Sequence, residues 1–210
     1  MNQHPDADPQ IHIAQIIERS RIEGPYLRFV VWVQGCSIRC PGCFNRSMWA
    51  FSGGEAIPVQ RLVDKIRSAE VEGVTLLGGE PFDQAGPVGD LAAAVQALGL
   101  GVVTFTGYRY EYLVAHSKAE ISHLLHHTDL LIDGPFLSER KCTNLPWVGS
   151  DNQRYIHISG RYRRFDLTSQ SNGLEWRIDM DTSRIRVNGL EDEVILSRIR
   201  NRLLEKGILT

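Results

Sequence analysis

The chain has 210 residues, 42% of them hydrophobic and 23% charged, enough apolar material for one ordinary core and too much for an intrinsically disordered chain. Lysine plus arginine number 23 against 25 for aspartate plus glutamate, and the formal charge of -2 provides no global attraction to nucleic acid or to an anionic membrane, so neither is expected as a partner. The cysteines number 4, three of them crowded between positions 36 and 43, which is too uneven for a disulfide framework and implies a reducing compartment.

Residues 1–10 are polar and carry two prolines and two aspartates; they lack the basic start and apolar run of a secretory signal and are expected to form a loose tail. At 11–18, Ile11 and Ile13 alternate with His12 and Ala14, and although helical spacing is also present, a strand is expected. The apolar run 27–33 reads as a buried strand ending at Gln34 and Gly35, directly before the first cysteine. Pro58 then opens a helix with Val59, Leu62, Val63 and Ile66 on one face. A second strand, 73–77, ends in Gly78-Gly79-Glu80-Pro81, and a second helix shows Val88, Leu91, Val95 and Leu98 before Gly99 and Gly101 stop it. Strand 102–105 ends in Thr106-Gly107-Tyr108, a helix is expected at 119–127, and strand 130–132 ends in Asp133-Gly134-Pro135.

Alternation of strands and helices predicts parallel βα units, with four strands finishing in small or polar clusters at one sheet edge, where α/β folds place their chemistry. The texture changes after residue 158. A hairpin is expected from 175–179 and 184–187, then a helix over 191–206 carrying Val194, Ile195, Ile199 and Leu203. The expected organisation is therefore a core over 11–160 and a C-terminal extension, 161–210, packed on it. The most apolar stretch, 91–105, falls short of the roughly 20 residues needed to cross a bilayer, and a soluble cytoplasmic protein is expected.

Cys36, Cys40 and Cys43 have the spacing C-x3-C-x2-C, and three thiolates cannot supply the four protein ligands of an ordinary ferredoxin cluster. One iron is left open, the feature that separates a catalytic from a structural metal site. Structural zinc, a buried cysteine cluster, and an ordinary cluster completed by Cys142 compete with this reading. Zinc usually shows a second Cys or Cys/His block, and the loop has none. On a separate strand, Gly78-Gly79-Glu80 offers a backbone that a ligand can approach closely, with carbonyls and a carboxylate able to accept from a protonated amine. His123, His126 and His127 read as a solvated helix end rather than a metal site, because adjacent residues on a helix face apart.

The residues Cys40-Pro41-Gly42-Cys43-Phe44-Asn45-Arg46 with Trp49, Phe105-Thr106-Gly107-Tyr108, Asp133-Gly134-Pro135-Phe136 and Trp147-Val148-Gly149-Ser150-Asp151-Asn152-Gln153 occur in this order. With them the chain, over about 24–158, resembles the radical S-adenosylmethionine superfamily. Within it, the chain is similar to the activating proteins of anaerobic ribonucleotide reductase, relatives of the pyruvate formate-lyase activating enzymes. The resemblance implies a partial, open (β/α) barrel and a 4Fe-4S cluster on Cys36, Cys40 and Cys43 with S-adenosylmethionine on the open iron. It also implies Gly78, Gly79 and Glu80 beside the methionyl amino group, Phe44 and Asn45 beside the cofactor, and Thr106 and Tyr108 near its ribose or carboxylate. Asp133, Asn152 and Gln153 either orient the cofactor or an incoming glycine loop, or bond local backbone. The activity implied is reductive cleavage of S-adenosylmethionine to a 5'-deoxyadenosyl radical, which takes a hydrogen atom from a glycine of a glycyl radical enzyme of the anaerobic ribonucleoside-triphosphate reductase or formate C-acetyltransferase type. The electron would come from a flavodoxin or ferredoxin type donor. A radical enzyme acting directly on a peptide or small metabolite, and a non-catalytic iron-sulfur carrier or sensor, stand as alternatives. Many superfamily members have an aromatic residue before the third cysteine, where this chain has Gly42.

Overall fold

Strand β2 (Arg28–Val33) is buried at all its positions, as its apolar run 29–33 requires when both its edges are paired and both its faces covered. In the computed structural model, which describes residues 8–116, 118–170, 173–179, 184–189 and 193–207, it lies parallel to β4 (Gly73–Gly78). Next come β5 (Gly101–Thr106) and β6 (Leu130–Asp133), also parallel. Antiparallel strands flank this block: β1 (Gln10–Ser20) and then β3 (Glu55–Pro58) beyond β2, and β7 (Arg154–His157) beyond β6. The result is a mixed, 7-stranded sheet of order β3-β1-β2-β4-β5-β6-β7, open at β3 and β7 rather than closed on itself.

Each parallel strand is added on the same side of the one before, so right-handed crossovers must deposit every connecting helix on one face. The packing agrees. Helix α1 (Val59–Ser68) buries Leu62 and Ile66, α2 (Ala85–Ala97) buries Val88, Leu91 and Val95, and α4 (Ala119–His126) buries Leu124, all in one cluster with Phe29, Val31, Leu76 and Leu131 of the sheet. Each such side chain stabilises the fold by about 1.5–3 kcal/mol. Alternate strand residues face the other way, where Val103, Leu130 and Ile132 meet Trp147, Val148 and Tyr162. Leu98, placed by periodicity on the α2 face, is instead 36% exposed, because the helix ends one residue before it.

Of the expected loose tail, residues 1–10, only 8–10 are described. Asp8 accepts from Gln60 N at 3.2 Å and Pro9 O from Val59 N at 2.9 Å, satisfying donors in the first turn of α1. Pro58 itself has no side chain able to do so. At the opposite end of the sheet from the strand termini that carry the cysteines, Arg28 is fully buried. It donates to Glu72 and the Tyr162 hydroxyl at 2.6 Å each, to Thr75 at 3.2 Å, to Gly101 O at 3.1 Å, and to Val74 O. Tyr162 in turn donates to Glu72 at 2.7 Å. This network ties residue 162 to the beginnings of three strands.

The short helix α3 (Tyr110–Ala115) was not visible in the periodicity, nor were β3 and β7. Farther on, β8 (Leu174–Asp179) and β9 (Arg184–Gly189) pair antiparallel, with Trp176 opposite Val187, as the hairpin reading expects; the connecting residues 180–183 lie outside the described residues. Arg21 N donates to Glu175 at 2.7 Å, a link between β8 and the loop after β1. Helix α5 (Glu193–Glu205) follows; Glu191, where that helix was expected to begin, lies outside the described residues.

Candidate functional site

The parallel ladder between β2 and β4 continues beyond both strands. Gly79 N donates to Val33 O at 2.8 Å and Glu80 N to Gly35 O at 2.8 Å, so the Gly-Gly-Glu turn is registered against the root of the cysteine loop. Gly78 has φ +110, and a Cβ at Gly79 would lie 2.1 Å from Gly35 O. The two glycines are thus required by the approach of one backbone to another. The closeness that the Gly-Gly pair offers is here taken up by backbone, where the sequence suggests a ligand.

The loop itself is held from three sides. Gly35 N and Cys36 N donate to Met48 O (2.8 Å) and Trp49 O (3.1 Å), drawing the loop closed at its base. Ser37 donates through its backbone N (2.6 Å) and hydroxyl (2.8 Å) to Asp83, and its hydroxyl lies 2.9 Å from that of Tyr108. Cys43 N donates to Cys40 O at 3.1 Å, forming a turn in which Gly42 has φ +79. That left-handed conformation, with Ser138 and Phe136 close by, explains why glycine stands where an aromatic residue was noted as more usual. Asn45 N donates to Cys43 Sγ at 3.3 Å.

Cys36, Cys40, Cys43, Asn45, Gly78, Gly79, Glu80 and Thr106 line one cavity, together with Trp49, Gly107, Phe136 and Gln153. Four expected residues, Phe44, Tyr108, Asp133 and Asn152, do not line it. Phe44 is 51% exposed and packs on Phe136, ring centroids 5.1 Å apart, with the Lys141 ammonium over its ring. Tyr108 turns away to Ser37 and stacks on Tyr112 at 5.2 Å. Asp133 is fully buried, accepts from Tyr110 N at 2.7 Å and is paired with Arg154, so its carboxylate is committed to fixing the β6 end and the start of α3. With three donors on it, this carboxylate has little accepting capacity left for a cofactor amine.

Glu80 also differs from the expected role. Its Oε1 accepts from Phe82 N (3.0 Å) and the Thr106 hydroxyl (2.9 Å), and its Oε2 from Gly107 N (2.9 Å). The side chain therefore pins the end of β5 to the turn after β4. Burial pushes its carboxyl up to about 7 although these three donors pull the other way. Burial likewise raises the Cys36 and Cys40 thiols above their ordinary value. A bound iron ion reverses that preference, because its positive charge stabilises the thiolate directly.

The donor set suits a cluster. Cys36, Cys40 and Cys43 line one cavity that Cys142 does not line, whereas a single metal ion would draw its ligands to one point. A multi-iron cluster asks instead that thiolates surround a volume. Two buried polar atoms here have no partner among the described residues, Trp49 Nε1 and Asn152 Oδ1. Sequence reasoning did not assign roles to Asp83 or Gln84. Both sit on the single 3-10 turn Pro81–Gln84, where Gln84 Nε2 donates to Gln34 O (2.9 Å) and His12 O (3.0 Å). Their signal was adjacency to Gly78-Gly79-Glu80-Pro81.

Parallel strands that converge on a three-cysteine loop and a Gly-Gly-Glu turn define an iron-sulfur protein of the radical S-adenosylmethionine type. The chain belongs to the 4Fe-4S single cluster domain family, which matches residues 22–156. It is 30% identical over 147 residues to the anaerobic ribonucleoside-triphosphate reductase-activating protein of Salmonella typhi, covering 65% of this chain and 92% of that one. The protein of the same name from Enterobacteria phage T4 is 31% identical over 140 residues, covering 63% and 85%. A 7-carboxy-7-deazaguanine synthase from Hyperthermus butylicus is 33% identical over 95 residues, covering 44% and 40%. Among the described residues no helix is long and apolar enough to cross a membrane.

Proposed function

We propose that the protein is a radical S-adenosylmethionine enzyme that activates a glycyl radical enzyme, an anaerobic ribonucleoside-triphosphate reductase, by removing a hydrogen atom from a glycine Cα. The observation that carries this is the gathering of Cys36, Cys40 and Cys43 with Gly78, Gly79 and Glu80 around one cavity at the carboxyl ends of parallel strands. It is supported by relatives named for that activation, whose length the chain nearly spans.

In this reading Cys36, Cys40 and Cys43 would hold the cluster, whose incomplete cysteine ligation would leave a place for S-adenosylmethionine. When bound, the pair supplies a one-electron cleavage of the sulfonium and hence a carbon radical strong enough to take hydrogen from glycine. The chain's own residues position and exclude. Asp83 and Tyr108 fix Ser37 and with it the lip of the loop. Glu80 holds Thr106 and Gly107 at the rim, and the backbone carbonyls of the turn would accept from the cofactor amine. Trp49 and Phe136 line the cavity with ring surface, which keeps water from the reacting atoms. The open sheet, with all of its crossover helices on one face, serves as the wall of a partial barrel whose uncovered end admits the glycine loop of the partner. The electron donor is a flavodoxin or ferredoxin type protein, and the setting is the cytoplasm.

The test is anaerobic reconstitution with iron and sulfide, reduction, and addition of S-adenosylmethionine, first alone and then with the anaerobic reductase of the same organism. Formation of 5'-deoxyadenosine and a glycyl radical signal on the reductase is expected. A fully loaded cluster that yields no 5'-deoxyadenosine would refute the radical chemistry. Cleavage without a radical on the reductase would refute the partner.

A further inference from the structure

We propose that the indole N–H of Trp49 donates a hydrogen bond to a sulfur of the cluster held by Cys36, Cys40 and Cys43, and so raises the cluster's reduction potential; this rests on the cluster assignment made above.

Trp49 lines the cavity with the three cysteines, yet its Nε1 is buried with no acceptor among the described residues. A buried donor left without a partner costs about 1–3 kcal/mol, and such groups are rare unless something bound satisfies them. The backbone of Trp49 is fixed to the cysteine loop. Its backbone carbonyl accepts from Cys36 N at 3.1 Å, which couples its position to the first cysteine, and its backbone N closes the 3-10 turn Arg46–Met48 on Arg46 O at 3.2 Å. The Arg46 guanidinium sits 5.7 Å from the ring centroid and covers one face. The acceptor we assign is the cluster that the same cavity, lined in part by Trp49, would hold.

Sulfur is the acceptor favoured by what surrounds the ring. Trp49 is tied to the cysteine loop and not to the Gly-Gly-Glu turn, and the loop already directs one donor at sulfur, Asn45 N to Cys43 Sγ at 3.3 Å. Reduction adds negative charge to the cluster, so a donor to sulfur binds the reduced form more strongly than the oxidised one. Hydrogen bonds to the sulfurs are among the factors that set such potentials.

The experiment compares the reconstituted full chain with its Trp49→Phe variant, which keeps an aromatic ring and removes the N–H, in the absence of S-adenosylmethionine. A redox titration followed by electron paramagnetic resonance should show the variant about tenfold harder to reduce, a midpoint lower by about 59 mV for a one-electron couple. Electron-nuclear double resonance of the reduced wild type should show a solvent-exchangeable proton that the variant lacks. An unchanged midpoint and proton spectrum in a variant with full iron content overturns the proposal. So does a weaker affinity for S-adenosylmethionine with the midpoint unchanged, since the acceptor would then be the cosubstrate. If Trp49→Phe assembles no cluster, wild-type protein labelled with 15N at its indole nitrogens must show nitrogen coupling to the reduced cluster, and its absence overturns the proposal. A wild type that binds no cluster through its cysteines would instead sink the underlying assignment.

Discussion

Replacing Glu80 by glutamine separates a structural carboxylate from one that serves the cofactor. Burial raises this carboxyl from 4.5 to about 7 on folding. Between those values the folded chain holds a proton that the unfolded chain has lost, so stability falls as pH rises through the window and is level on either side. With those two values the penalty grows by about 2.5 kcal/mol between roughly pH 5 and pH 8. At a urea slope of about 2 kcal/mol per molar, this shifts the unfolding midpoint by about 1 M. Glutamine does not titrate. It can still accept from Phe82 N and the Thr106 hydroxyl, but its amide NH2 opposes Gly107 N, a cost that is independent of pH. Urea unfolding of the apoprotein at several pH values is the assay. Wild type should lose about 1 M of midpoint relative to Glu80→Gln on going from pH 5 to pH 8. Parallel pH profiles for the two proteins would refute the burial argument.

Cys36→Ala, Cys40→Ala and Cys43→Ala should each abolish bound iron and acid-labile sulfide, whereas Cys142→Ser, outside the cavity, should leave both unchanged; loss of the cluster in Cys142→Ser would restore the four-cysteine carrier reading. Gly79→Ala forces a methyl against Gly35 O, 2.1 Å away and part of the backbone, so a loss of about 2 kcal/mol or more is expected together with reduced iron incorporation, measured by calorimetry and iron assay. Arg28→Met removes a fully buried cation from Glu72, Tyr162 and two backbone carbonyls. A cost of about 3–5 kcal/mol is expected, and with it a fall of about 10 °C in thermal midpoint. Because Arg28 stands at the beginnings of the strands, iron content in the surviving folded protein should not change.

The four central strands were legible because each is an apolar run flanked by turn residues, a pattern that a doubly covered strand cannot avoid. The pieces that escaped are short and peripheral. Strand β3 has only Ile57 buried and ends in a proline, β7 is half-buried throughout, and α3 is a six-residue helix with Leu113 alone in the core. None carries enough periodicity to register, and each is held by neighbours rather than by its own pattern. Of the candidate site, the cysteines, Asn45 and Thr106 line the cavity, while Phe44, Tyr108, Asp133 and Asn152 do not.

The sequence by itself determined which strand ends would bear chemistry and that three sulfurs would stand close together there, since both follow from spacing along a few consecutive residues. Only the tertiary structure decided which polar groups are already spent. Glu80 is bound by Gly107, 27 residues away, and Asp133 by Arg154, 21 residues away, while Trp49, which the sequence marks only as part of the family motif, keeps a donor unmatched among the described residues. A hydrogen bond between distant positions leaves no periodicity to read, and whether a side chain has capacity left for a ligand depends on all its partners at once.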